Sequence, residues 1–426
     1  MAASKTSDKE RIAHVARRLG VGANPDLIEK AVDTDDAINL SLQKADDAKS
    51  PELVMPADWD QAYEDEYAPV NKVCMWWVEQ MIANRSPIKE RLTWFWHDHF
   101  ATSAEKADVG WVVWHQIETL RKHAMGNFGV LMKAIARDPA MLWYLDNQNN
   151  TVSDLNENYG REALELHTLG VGNYTQADVV AAARGFTGWH VNYPDDENGG
   201  FETDEVPGWA AYFYPGDYDR EQKLLLDKRG QWDMDLTIDI LLEHPATAKR
   251  TASKLYKALT GIELDDKTAT RLGRKFANTW GYEIMPLVEE IVASEAFLSN
   301  EAVGNMIRTP LEKVVTMFQA FPHDLEHQDF QDYWWNIVET GYYPYGARNP
   351  AGYDKGEVLL SPTNMVKVFD MLWPLQQPED DWDTDYVSKR LGLFSLSSLS
   401  RKVLDKAVNP GYRVALAFAS PEFATT

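Results

Sequence analysis

Asp154-Leu155-Asn156-Glu157-Asn158-Tyr159-Gly160-Arg161-Glu162-Ala163-Leu164-Glu165-Leu166-His167-Thr168-Leu169-Gly170 is the stretch on which the reading of the fold turns. Leu155, Tyr159, Ala163, Leu166 and Leu169 recur at helical spacing and predict a helix with one core face. Asp154 is a good N-cap, with Glu157 three residues on as in a capping box. Gly170 stands where a left-handed C-cap residue belongs. A second helix is expected from Thr175, which has Asp178 three residues later, to Thr187 before Gly188.

The charges of the first helix follow from 3.6 residues per turn. Glu157, Arg161 and Glu165 stand at i, i+4 and i+8 and predict an acid–base–acid ladder on one face. Glu162 falls among Leu155, Leu166 and Leu169, about 20–40° from each on the helical wheel. A carboxylate on an apolar stripe either finds a cation or is neutralised. It is therefore expected in a buried ion pair with an arginine, or as an acid or metal ligand. Upstream, Asp146, Gln148, Asn150, Asp154 and Glu157 occupy positions 1, 3, 5, 9 and 12 of a calcium-loop spacing, which makes Asp146, Asn150 and Glu157 candidate ligands. Thr151 replaces the turn glycine of that pattern, and Gln148 is longer than the usual ligand. The competing reading is an asparagine-rich turn closed by side-chain-to-backbone bonds.

Helical periodicity continues outward. Ser86-Pro87 is an N-cap followed by proline at the first helical position, opening Ile88-Lys89-Glu90-Arg91-Leu92-Thr93-Trp94-Phe95-Trp96-His97-Asp98-His99-Phe100. His97 and His99 invite a metal reading, yet residues two apart on a helix point about 200° away from each other. His99 shares the face of Ile88, Leu92 and Phe95 and is expected as a hydrogen-bonded core histidine; His97 faces the opposite way. Further helices are expected over Met234–Leu242, Pro245–Leu259, Asp266–Thr279, Pro286–Ser294, 305–321 and from Ser361-Pro362 to Trp373. The pattern breaks at 190–232, a long excursion with short strands, and at 322–360, an irregular aromatic segment. The acidic stretch 46–68 reads as a loop. The expected fold is all-α, a single large helical body over 1–426 with a small β excursion.

The chain has 426 residues and a net charge of −24, which disfavours nucleic acid and anionic membrane surfaces. Its one cysteine, Cys74, rules out an intrachain disulfide or a thiolate zinc cluster and reads as a buried small hydrophobe. No run reaches the length of a spanning helix. The first ten residues, Met1 to Glu10, contain no apolar h-region, so no export signal is recognisable and the cytoplasm is the default location. Phosphate-cradling glycine loops, G-x-S-x-G elbows and H-E-x-x-H pairs are absent from the sequence.

The chain resembles the bacterial family known as domain of unknown function 1800. The likeness is carried by Glu90 through Ser103, by Arg137-Asp138-Pro139-Ala140-Met141-Leu142, by Asn156 through Glu162 and Glu165 through Thr175, and by Arg184-Gly185-Phe186-Thr187-Gly188-Trp189. Ser361-Pro362 and Ser420-Pro421-Glu422-Phe423 also fit. His167 stands where the motif more usually has an aromatic residue, and 331–360 fits poorly. The resemblance implies a mostly helical protein without an assigned activity, from a family whose members often look exported and sit beside sulfatase-like partners.

Two functions are consistent with these residues. One is a binding or assembly protein with a buried carboxylate–arginine network, its aromatic loops meeting a protein or glycan partner. The other is an enzyme using a divalent metal between the 87–100 and 155–169 helices. Its site would draw on His97, His99, Glu157, Arg161, Glu162, Glu165 and His167.

Overall fold

The computed structural model describes residues 7–43, 68–192, 209–321, 334–362, 366–367 and 382–426. Three helices open the chain, α1 (Asp8–Leu19), α2 (Pro25–Lys30) and α3 (Thr34–Leu42). Then come α4 (Ala68–Ala83), α5 (Pro87–His99), α6 (Gly110–His123), α7 (Phe128–Ala136) and α8 (Pro139–Tyr144). The short α9 (Asn158–Glu162) runs directly into a π-turn, Ala163–His167, and α10 (Gln176–Gly185) follows. Two antiparallel hairpins interrupt the helices: β1 (Trp189–Val191) with β2 (Ala211–Phe213), and β3 (Lys223–Leu225) with β4 (Lys228–Gly230). Helices resume with α11 (Met234–Glu243), α12 (Pro245–Thr260), α13 (Asp266–Arg274), α14 (Ile284–Val292) and α15 (Pro310–Ala320). The last four are Thr384–Arg390, Ser398–Asp405, Pro410–Phe418 and Pro421–Ala424. The fold is all-α with a small β excursion, and among the described residues no helix is long and apolar enough to cross a membrane.

Local chemistry explains many of the boundaries. Proline takes the first turn of α2, α5, α8, α12 and α15, where its missing N–H costs nothing. Thr175 forms the expected capping box with Asp178, and Thr309 forms another with Glu312. Gly170 has φ +80 and gives its N–H to Leu164 O at 3.0 Å, ending the π-turn in the left-handed conformation.

The first helix of the opening stretch departs from expectation. It starts at Asn158, not Asp154, and Leu155 is solvent-exposed. The asparagines hold the preceding residues in a turn. Asn150 Oδ1 accepts the Asn156 N–H at 3.0 Å, Asn156 Oδ1 accepts the Asn158 N–H at 2.9 Å, and Asn158 Nδ2 donates to Leu145 O at 3.1 Å. Side-chain bonds of this kind compete with helix formation. The segment expected to be irregular over 322–360 is helical at 334–339, where Trp334 and Ile337 are buried; 322–333 lies outside the described residues. So do 193–208 of the β excursion, 46–67 of the acidic stretch and most of the helix expected after Pro362.

Apolar side chains gather in two large cores, which α5 partitions, and in a third small cluster at Ala107, Val112 and Ala140. Ile88, Leu92, Phe95 and Trp96 face the first, with α1, α7, α11, α12 and α14. Trp94 faces the second, with α4, α15 and the C-terminal helices. Buried ion pairs fasten α5 on both sides: Glu90 to Arg121 at 2.6 Å and Arg91 to Glu312 at 2.8 Å. Arg17 and Glu10 form a third within α1, at 2.8 Å. Buried Cys74 packs in the second core, its Sγ 3.4 Å from Pro344 O.

Candidate functional site

Because α5 stays helical through His99, its two histidines diverge as the wheel requires. His97 enters a cage of Trp77, Trp94, Tyr345 and Tyr353. Its Nε2 accepts the Tyr345 backbone N–H at 3.1 Å and lies 2.9 Å from the Tyr353 hydroxyl. Burial lowers its pKa to about 3, against the opposing pull of Asp98. His97 thus ties the 342–353 segment to α5 as a neutral ring.

His99 points into the first core and meets the π-turn. Its Nε2 donates to His167 O at 3.1 Å, and its ring stacks on Phe95. The carbonyl can only accept, so Nε2 carries the proton and Nδ1 presents its lone pair. Lys254 Nζ, from α12, donates to that Nδ1 at 2.8 Å. Burial, and secondarily Lys254, push the His99 pKa well below its usual value.

The π-turn inserts one extra residue into the helix and rotates everything after Glu162. His167 therefore occupies the core side, 1% exposed, with Nε2 lacking a hydrogen-bond partner. Its pKa falls to about 3 through burial, then through Lys254 and Arg250. Glu162, expected among the leucines, is instead half-buried beside Glu165, and no Lys or Arg of the described residues forms an ion pair with it. Burial and Glu165 raise its pKa. The ladder is also cut. Glu157 and Arg161 pair at 3.2 Å, but Glu165 accepts the Tyr174 hydroxyl. The buried carboxylate–arginine network exists, though at Glu10, Glu90 and Glu312 rather than at Glu157, Glu162 and Glu165.

Asp146, Asn150 and Glu157 do not converge. Asp146 pairs with Lys106 at 2.6 Å, Asn150 Nδ2 donates to Ala183 O at 2.8 Å, and Glu157 pairs with Arg161 and accepts from Gln176 at 2.6 Å. The structure closes this loop as an asparagine-rich turn, with these three side chains engaged by other partners. Among the described residues no group of three or more His, Cys, Asp or Glu side chains is placed to hold a metal ion. At His99 both ring nitrogens are engaged, and the neighbouring Lys254 and Arg250 would repel a cation.

What α5, the π-turn and α12 bring together is a set of bases. Lys254 Nζ is withdrawn from water, which lowers its pKa to about 7; Asp98 opposes the shift, while Arg250 and Lys355 add to it. Asp98 is itself occupied, accepting the Tyr353 N–H at 2.9 Å and pairing with Lys355 at 2.6 Å. Gly352 lets that segment approach, since a Cβ there would stand 2.3 Å from Asp98 Oδ1. Arg250 lies one turn before Lys254 and reaches Leu166 O at 3.4 Å; its Nε meets no partner. Neither Lys254 nor Arg250 was singled out by the sequence. The only signal was a cation at the border of the α12 apolar stripe.

Fold and site define an acidic α-helical protein with a lysine–histidine cluster at the edge of its first core. The chain belongs to the family described as Protein of unknown function (DUF1800), whose model matches residues 14–425. No curated protein and no solved structure matches it.

Proposed function

We propose that the chain is a binding protein for a small anionic organic ligand, received where α12 faces the π-turn. The observation that carries this reading is Arg250. Its guanidinium is partly buried, its Nε is unpartnered, and its hydrogen bond to Leu166 O is long. The carboxylate acting on it, Glu165, is turned to the Tyr174 hydroxyl. A partly desolvated guanidinium short of acceptors is a binding group for a carboxylate, which it can engage through two parallel bonds. The buried ion pairs around α5 supply the rigid support such a site needs.

The test is thermal unfolding with malonate against sodium chloride at equal ionic strength. A ligand that binds only the folded state raises Tm with its concentration. The expected result is a malonate-dependent rise that chloride does not give and that Arg250→Met abolishes. A rise of the same size in Arg250→Met, or none in the parent chain, would overturn the reading.

A further inference from the structure

We propose that Lys254 is a nucleophilic amine that condenses with the carbonyl carbon of a small 2-oxo acid, whose carboxylate Arg250 holds. This rests on the binding site above and adds a bond-forming step to it.

The geometry is specific. Lys254 Nζ lies 2.8 Å from His99 Nδ1, and the His99 tautomer is fixed by the Nε2–H bond to His167 O. A neutral amine has two N–H bonds and one lone pair. With one N–H held by His99, the lone pair is oriented instead of rotating freely. Arg250 stands four residues earlier on α12, about 6 Å along the axis and about 40° round it. A carboxylate bound by Arg250 and an adjacent carbonyl group would span that interval. The π-turn opposite both residues is a local geometry that recurs at functional sites.

Withdrawal of Nζ from water is the main force favouring the amine over the ammonium, and the charged and titratable groups around it act beside that. They are His99 and Asp98 from α5, His167 from the π-turn, Arg250 on α12 itself, and Lys355 from the segment after Gly352. Asp98 alone is anionic, and both its oxygens are already engaged. Desolvation activates other lysines that react through their amine in the same way.

The step balances without an oxidant or a metal. The Nζ lone pair forms the C–N bond while the carbonyl π pair moves to oxygen. Nitrogen sheds a proton, which His99 Nδ1 accepts and returns to that oxygen, giving a carbinolamine. The nitrogen pair then expels the oxygen, which leaves as water with the second amine proton. Amine and carbonyl become imine and water.

The full-length chain would be incubated with pyruvate and cyanoborohydride at neutral pH, and the adduct located by peptide mass spectrometry. The expected adduct is concentrated on Lys254 and lost in Lys254→Gln. Arg250→Met should lower trapping of pyruvate about tenfold relative to trapping of propionaldehyde, which has no carboxylate, equivalent to about 1.4 kcal/mol of binding. An adduct spread over exposed lysines such as Lys257, with no enrichment at Lys254, would overturn the proposal. Competitive acetylation of the unmutated chain across pH needs no variant. Lys254 should lose reactivity only below pH about 7, and a profile matching that of Lys257 would also overturn it. If malonate stabilises the protein but pyruvate is not trapped, the binding site stands and the condensation falls.

Discussion

Lys254 sits against a neutral histidine, and that arrangement costs stability. Its folded pKa of about 7 lies below the unfolded value of about 10.4. Between those values the unfolded chain holds a proton that the folded one lacks, so this group makes stability rise with pH; below pH 7 its penalty is complete. Lys254→Met keeps the length of the side chain and removes the charge. It should raise stability at neutral pH by about 1–2 kcal/mol, the loss of the donor to His99 offsetting part of the gain. Urea unfolding measures it, and a fall would mean that Lys254 is a structural member of the cluster. The divergence of His97 and His99 was legible in the sequence because 100° per residue holds along an unbroken helix. Lys254 was not. It lies about 20° from Thr247 and 60° from Thr251 on the wheel, where lysines elsewhere simply extend to water. Its distinguishing partner comes from α5, 155 residues away.

The π-turn and its neighbours show how far periodicity carries. Thr175 with Asp178, and Gly170 as C-cap, were readable because caps depend on local chemistry. The facing of Glu162, Glu165 and His167 was not, because a wheel drawn at constant pitch cannot register an inserted residue, and the asparagine bonds delay the helix to Asn158. What holds α9 in place is its contact with α10. A Cβ at Gly160 would stand 2.9 Å from Ala183 N and 3.0 Å from Val179 O, both backbone atoms that have no side-chain freedom to yield. Gly160→Ala should therefore destabilise by about 1–3 kcal/mol despite alanine's better helix propensity. It should also displace the π-turn, weakening the malonate-dependent rise in Tm. Unchanged stability would mean that the two helices do not approach so closely in solution. Gly273 makes the same close approach between α13 and α12, its Cβ position 2.6 Å from Lys249 Cα.

Two cores meeting on α5, fastened by buried ion pairs, give a protein whose interior carries charge and unprotonated imidazole together. The sequence signalled such a network but misplaced it, because Arg91–Glu312 joins residues far apart in the chain and no local pattern records it. The histidines set the response to acid. His14, His97, His99 and His167 are all buried, with pKa values depressed chiefly by burial, those of His97 and His167 to about 3. Above the unfolded value of about 6.5 neither state binds a proton at these rings and they contribute no pH dependence. Below it the unfolded chain takes up protons that the folded chain refuses, so stability falls with pH until the folded values are reached. Each such ring contributes about 1.4 kcal/mol per pH unit. Glu90 and Glu162 act in the opposite sense, since their raised pKa values let the folded state bind protons first, which offsets part of the fall. Urea midpoints measured downward from pH 7 should therefore be flat at first and then drop steeply below about pH 6.5. His167→Phe removes one ring from that response and should reduce the slope by about 1.4 kcal/mol per pH unit with α5 and α12 still folded. Stability independent of pH across this range would mean that the histidines reach solvent, and that the cluster around Lys254 is open rather than withdrawn from water.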